Sequence, residues 1–84
     1  MNRKQRINKI LSKKFSDFIL EIIDNSNLHK GHNNFTGYDE THIKIILTKK
    51  NKILINRLSI HRIINNLLDD EFKKGLHSLE IKIN

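Results

Sequence analysis

Apolar and polar residues repeat with two different periods along the last third of this chain. Between Leu58 and Lys74, Ile60, Ile63, Ile64, Leu67, Leu68 and Phe72 recur three or four residues apart. That spacing makes one apolar stripe on an amphipathic helix. Lys73 and Lys74 end the run, where cations complement the partial negative charge of a helix C-terminus. Gly75 follows, the residue best able to take the left-handed backbone that stops a helix. Beyond it Leu79, Ile81 and Ile83 alternate with Ser78, Glu80 and Lys82, which is the period of a strand. His77 stands at the joint.

The same reading extends to the rest of the chain. Arg3 to Phe15 predicts a helix with Ile7, Ile10, Leu11 and Phe15 on its apolar side. Phe18 to Ile23 is a short β-branched run bounded by polar residues, a first strand. Thr41 to Thr48 predicts a second, with Ile43, Ile45 and Leu47 facing the helices and His42 and Lys44 facing away. Asp24 to Glu40 joins them, about seventeen residues where a hairpin needs about two to five. Such a connection is usually functional or disordered, and this one holds His29, Gly31, His32, Gly37 and Tyr38. Lys49 to Lys52 is a polar turn, and Ile53 to Ile55 fits either a strand extension or a helical turn. The order is α-β-β-(α)-α-β. A right-handed β-α-β crossover sets strand three parallel to strand two. The expected fold is α+β, a three-stranded mixed sheet with helices on one face. Ile7, Leu11, Ile63, Leu67 and Leu68 should pack against Leu20, Ile45 and Ile81.

Length and composition sharpen this. Eighty-four residues predict one domain over 1–84 with one small core. No run approaches the roughly twenty apolar residues of a membrane span, and Ile10-Leu11 is too short for a signal peptide. With no cysteine in the chain, disulfides and thiolate ligands of its own are excluded, and a cytoplasmic or matrix-like compartment is the default. Sixteen cations against nine acids give a formal charge of +7, which suggests nucleic acid. Isoleucine, lysine and asparagine dominate while alanine, valine and proline are absent, as in AT-rich coding, so part of that charge is compositional. Arg3, Lys4, Arg6, Lys9, Lys13 and Lys14 form either a solvated helix face or a phosphate-contacting one. Asp69-Asp70-Glu71 reads as a solvated helix edge.

Four stretches resemble the BolA family. Leu20-Glu21-Ile22-Ile23-Asp24-Asn25-Ser26 is similar to its first-strand motif and Glu40-Thr41-His42-Ile43-Lys44-Ile45 to its second. Ile60-His61-Arg62-Ile63-Ile64 resembles its Arg-His-Arg helix signature, and Leu76-His77-Ser78-Leu79 its C-terminal one. Order and spacing agree from about Arg6 onward. Ile43 replaces the usual aromatic residue, Ile60 replaces the first arginine, and the sequence stops at Asn84, before the family's usual final helical turn. The resemblance implies a class II KH-like fold, a monothiol glutaredoxin as heterodimer partner, and a [2Fe-2S] cluster shared with it. It makes His77 a cluster ligand and draws a second from the long connection, His32 first and His29 next. The remaining ligands would be a glutaredoxin cysteine and a glutathione thiol.

The residues support part of this independently. Two neutral imidazoles with two external thiolates complete an iron–sulfur site of the kind in which histidine replaces cysteine on one iron. Without a cysteine the chain alone holds no cluster well, and it is expected to be a monomer on its own. From spacing alone His77 could equally be a hydrogen-bonded residue at the edge of the core, and His29 and His32 ordinary loop residues. His42 reads as structural, and His61 as a packing or phosphate-side residue. No serine has an evident His-acid pairing, and neither a phosphate loop nor a dinucleotide fingerprint is present, so no enzyme is expected. The alternative is a DNA-binding transcriptional regulator that uses Lys49, Lys50, Lys52, Arg57 and Arg62 on phosphates. It lacks the Gly-x-x-Gly loop with which KH domains clamp a backbone.

Overall fold

The computed structural model describes residues 1–25 and 41–84. The element order is α1 (Arg3–Lys14), β1 (Phe18–Asp24), β2 (His42–Lys49), α2 (Arg57–Leu67), α3 (Asp69–Lys73) and β3 (Ser78–Ile83). The α+β order agrees with the expected one, but the fifth element arises from a split of the long helix and not from Ile53 to Ile55. The sheet order is β1-β2-β3, with β1 antiparallel to β2 and β3 parallel to it.

Strand β2 is the spine. Ile43, Ile45 and Leu47 are buried on its inner face and join Ile7, Leu11, Ile22, Ile60, Ile64, Leu68 and Leu76 in one core. Leu79, Ile81 and Ile83 of β3 pack against that core from the same side. All three strands thus turn one face to the helices. The period-2 pattern of β2 reports this directly, because a strand with one buried face must alternate.

Helix α1 starts at Asn2 through a reciprocal capping box with Gln5, which satisfies two backbone donors that a helix N-terminus leaves open. Asn56 caps α2 by accepting from the Ser59 N–H at 3.0 Å. Ile53 to Ile55 is neither strand nor helix but an irregular approach to this cap.

The expected single helix over Leu58 to Lys74 is two helices. It breaks at Leu68, whose backbone sits at φ −100°, ψ 13°. Two local features favour the break. Asn65 donates its side-chain amide to the His61 carbonyl at 2.7 Å, competing with the helix ladder. Asp69, Asp70 and Glu71 then occupy the first turn of α3, where acids suit the positive end of a helix. The break corrects one core assignment. Of the two leucines assigned to the core, Leu68 is fully buried but Leu67, at the end of α2, is 38% exposed.

Glu71 is the second correction. It lies on no solvated edge: it is 3% exposed and receives two arginines from α1. Arg6 Nε donates to Oε2 at 2.8 Å and Arg6 Nη2 to Oε1 at 2.8 Å, while Arg3 Nε donates to Oε1 at 3.0 Å. Arg3 also donates to the Lys74 carbonyl at 3.1 Å. Two cations of the basic N-terminal helix therefore serve a buried ion pair. The hydrogen bond from Arg6 is the main reason the Glu71 carboxyl is lowered from 4.5 to about 2; burial opposes the shift and Arg3 reinforces it.

Two stability predictions follow from this packing. Ile64→Ala should cost about 2–5 kcal/mol in urea unfolding, as large-to-small core changes do, whereas Leu67→Ala should cost under about 1 kcal/mol. Equal losses would show that the break at Leu68 is misplaced. The folded-state pKa of Glu71 is depressed, so its contribution is complete above 4.5 and lost as pH falls towards 2. A shift of this size is on the order of 3 kcal/mol. Stability measured from pH 5 to pH 2 should fall less steeply in Glu71→Gln than in wild type; parallel curves would refute the assignment.

Candidate imidazole site

His77 is held by its backbone while its side chain is exposed. Three devices place it. Gly75 takes φ +117°, a conformation that side-chain-bearing residues rarely adopt. The Leu76 N–H then donates to the Glu71 carbonyl at 2.9 Å and the Gly75 N–H to the Phe72 carbonyl at 3.3 Å, the paired bonds of a Schellman stop. Leu76 is buried in the core. Finally the Thr41 carbonyl accepts from the His77 N–H at 2.8 Å and from the Ser78 N–H at 3.1 Å. His77 is thus pinned at the start of β3, next to the start of β2. The residue is exposed there.

His42 is the neighbour that sequence reasoning missed. The parallel register pairs His42 with Ser78, and the His42 and His77 ring centroids lie 6.0 Å apart at 63°. Thr41 Oγ1 is 3.0 Å from His42 Nδ1, and Thr41 itself is 6% exposed. A signal was present: His42 directly precedes the buried alternation of β2, and His77 stands two residues before that of β3. Aligning the two alternations brings the starts of β2 and β3 side by side, although strict alternation would set the two imidazoles on opposite faces.

The connection that carries His29 and His32 begins and ends here. Asn25 donates its N–H to the His42 carbonyl at 2.8 Å, and Thr41 is the residue bonded to His77. His29 and His32 themselves lie outside the described residues. Lys44 pairs with Glu80 at 3.4 Å, two rungs along the ladder from His42 and Ser78.

The basic residues proposed for phosphate contact lie elsewhere. Lys49 ends β2, about 23 Å from its start at about 3.3 Å per residue. Lys50 donates its Nζ to the Ser16 carbonyl at 3.0 Å and its backbone N–H to Asp17, tying two turns together. Lys52, Arg57 and Arg62 are exposed. Arg57 and Arg62 sit about 140° apart around α2 at about 100° per residue. His61 is half-buried on α2. No helix among the described residues is long and apolar enough to cross a membrane.

Comparison with known proteins agrees with the fold. A family model described as BolA-like protein matches residues 11–84. The solved structure of BolA1 from Arabidopsis thaliana superposes with a TM-score of 0.78 at 31% identity, covering 99% of this chain and 90% of that one. Protein BOLA1, chloroplastic, from the same plant is 35% identical over 82 residues; the match takes in 95% of this chain and 51% of that protein, about half its length. The DNA-binding transcriptional regulator BolA of Vibrio cholerae is 29% identical over 75 residues, or 89% of this chain and 67% of that one. The chain belongs to the BolA-like family.

Proposed function

We propose that this chain is a binding partner rather than a catalyst, pairing with a monothiol glutaredoxin and sharing a [2Fe-2S] cluster with it during cluster assembly or trafficking. One observation carries the reading. An exposed imidazole, His77, is fixed by two backbone bonds beside both anchored ends of the segment that contains His29 and His32. A cluster shared between two proteins needs a ligand held in place on this chain, and the fixed backbone of His77 supports that role.

The cluster is cargo. Imidazole ligates iron in centres where histidine replaces cysteine. The chain has no cysteine, so in this reading the thiolates are the partner's cysteine and a glutathione thiol. The chain alone is then a monomer without a cluster. A reducing compartment such as the cytoplasm keeps those thiols available.

The test mixes the chain with a monothiol glutaredoxin carrying its cluster and records visible circular dichroism. Wild type should convert the glutaredoxin homodimer spectrum to an altered one. His77→Ala should abolish the change or leave the cluster easily lost, and His32→Ala should weaken it less, because His29 lies three residues away. A larger effect from His29→Ala would make His29 the loop ligand. An unchanged spectrum with wild type would end the reading.

DNA binding is the second reading, favoured by the +7 formal charge and by the name of the Vibrio cholerae relative. If Lys49, Lys50, Lys52, Arg57 and Arg62 contact phosphates, log affinity should fall with log salt by roughly 0.9 per phosphate on duplex DNA. We expect weak binding with little sequence preference. Tight binding to one sequence at physiological salt would put this reading first.

A further inference from the structure

We propose that residues 52–58, the irregular segment before α2 and the first turn of α2, seat this domain on an anionic phospholipid surface, with Leu54 as the inserted tip and Lys52 and Arg57 at the lipid phosphates. The contact is peripheral and reversible, and it does not depend on the cluster reading. Apolar display, charge and position in the fold carry it.

The segment displays apolar side chains that the fold does not use. Ile53, Leu54 and Leu58 are exposed, Leu54 completely. A lone exposed leucine is ordinary on a protein surface, but here large aliphatic residues stay in water side by side. Ile55, between them, packs against the core instead. Restraints on both sides hold the tip out. Lys50 is bonded to the Ser16 and Asp17 carbonyls, and Asn56 caps α2.

The charge around the tip is of one sign. The sequence has no acid between Glu40 and Asp69, yet it carries Lys44, Lys49, Lys50, Lys52, Arg57 and Arg62 there. Lys44 pairs with Glu80, whereas Lys52 and Arg57 are exposed and flank Ile53 and Leu54 directly. Lys13, Lys14 and Asp17 border the same end through the bonds of Lys50, and the balance there stays positive. Cations beside exposed aliphatic residues are the make-up of a lipid-interface segment. The apolar side chains enter the acyl boundary, while lysine and arginine stems lie along it and carry their charge to the headgroups. Phosphates of a nucleic acid would account for the cations but would leave Ile53, Leu54 and Leu58 in water.

The position in the fold keeps the two ends of the sheet apart. The segment follows the end of β2, about 23 Å from the strand's start at about 3.3 Å per residue. His77 lies beside that start. Docking through residues 52–58 therefore leaves the exposed imidazole at the far end, open to a second protein. The attachment is weak by construction. Even one myristoyl chain binds a bilayer only marginally, and a few aliphatic side chains bury less. The cations make up part of the difference only on a negatively charged leaflet, such as the cytoplasmic one.

The experiment sediments the full chain with vesicles of phosphatidylcholine alone and of phosphatidylcholine mixed with phosphatidylglycerol. We expect binding to the mixed vesicles only, falling as salt rises. Leu54→Ser should weaken it about tenfold or more, the effect of withdrawing one inserted aliphatic side chain. Lys52→Gln and Arg57→Gln should each weaken it about fivefold, the share of one cation near an anionic leaflet. Leu67→Ser changes an exposed leucine at the other end of α2 and should bind like wild type. The chain has no cysteine, so Leu54→Cys takes a single environment-sensitive dye. Its emission should shift to the blue on mixed vesicles, whereas the same dye on Leu67→Cys should not respond. Absence of binding to the mixed vesicles at low salt overturns the proposal. So does wild-type binding by Leu54→Ser, or a dye at position 54 that stays in water. Binding to duplex DNA that Leu54→Ser weakens, without vesicle binding, would assign the segment to nucleic acid instead. The glutaredoxin experiment reads a different signal, so either idea can fail without the other.

Discussion

A carboxylate buried between two arginines ties this small domain together. Glu71 lies on a five-residue helix that could not persist alone, since isolated helices shorter than about 12–15 residues are marginal in water. Arg3 and Arg6 of α1 secure its side chain, and the Leu76 N–H uses its backbone carbonyl. The residue thus links the first helix to the turn that launches β3. Removing one partner from such a pair costs more than the pair contributes net, because a charge is left without its complement. Specificity of placement is the better account of its role. The clamp fixes where α3 stops, and His77 is the second residue after Gly75.

The same economy governs the other end of the sheet. A β-α-β crossover brings the starts of two parallel strands side by side, so residues far apart in sequence meet there without a loop of their own. Thr41 exploits this. Its carbonyl serves two N–H groups of the neighbouring strand, and its hydroxyl meets His42. The chemistry-bearing groups sit on rigid strand ends, while the core beneath them is ordinary isoleucine and leucine.

Much of the fold was legible in the residues. Alternation in β2, the helical stripe and the glycine stop gave the elements, and crossover handedness gave the parallel pairing. What failed was local or pairwise. The break at Leu68 is favoured by side-chain effects that periodicity does not register, and the acids that open α3 read in the sequence as a solvated edge. Arg3 and Arg6 were counted as solvated or phosphate-facing charge, because their partner is remote in sequence. His77 was legible from its place between a glycine stop and a strand. Its contact with His42 was legible only in part, because it comes from strand register, and two alternating patterns can slide by two residues without changing which faces are buried.

The pairing of Arg3 with Glu71 spans 68 residues. A chain made at about 5–20 residues per second presents that arginine several seconds before its carboxylate exists. During synthesis the first helix therefore has neither its ion pair nor the parallel strand against which the core closes. Contacts of such long range are also the slow ones to form, because loop closure must be paid before they contribute. The clamp on the first helix and the parallel edge of the sheet are therefore both completed only by the last third of the chain.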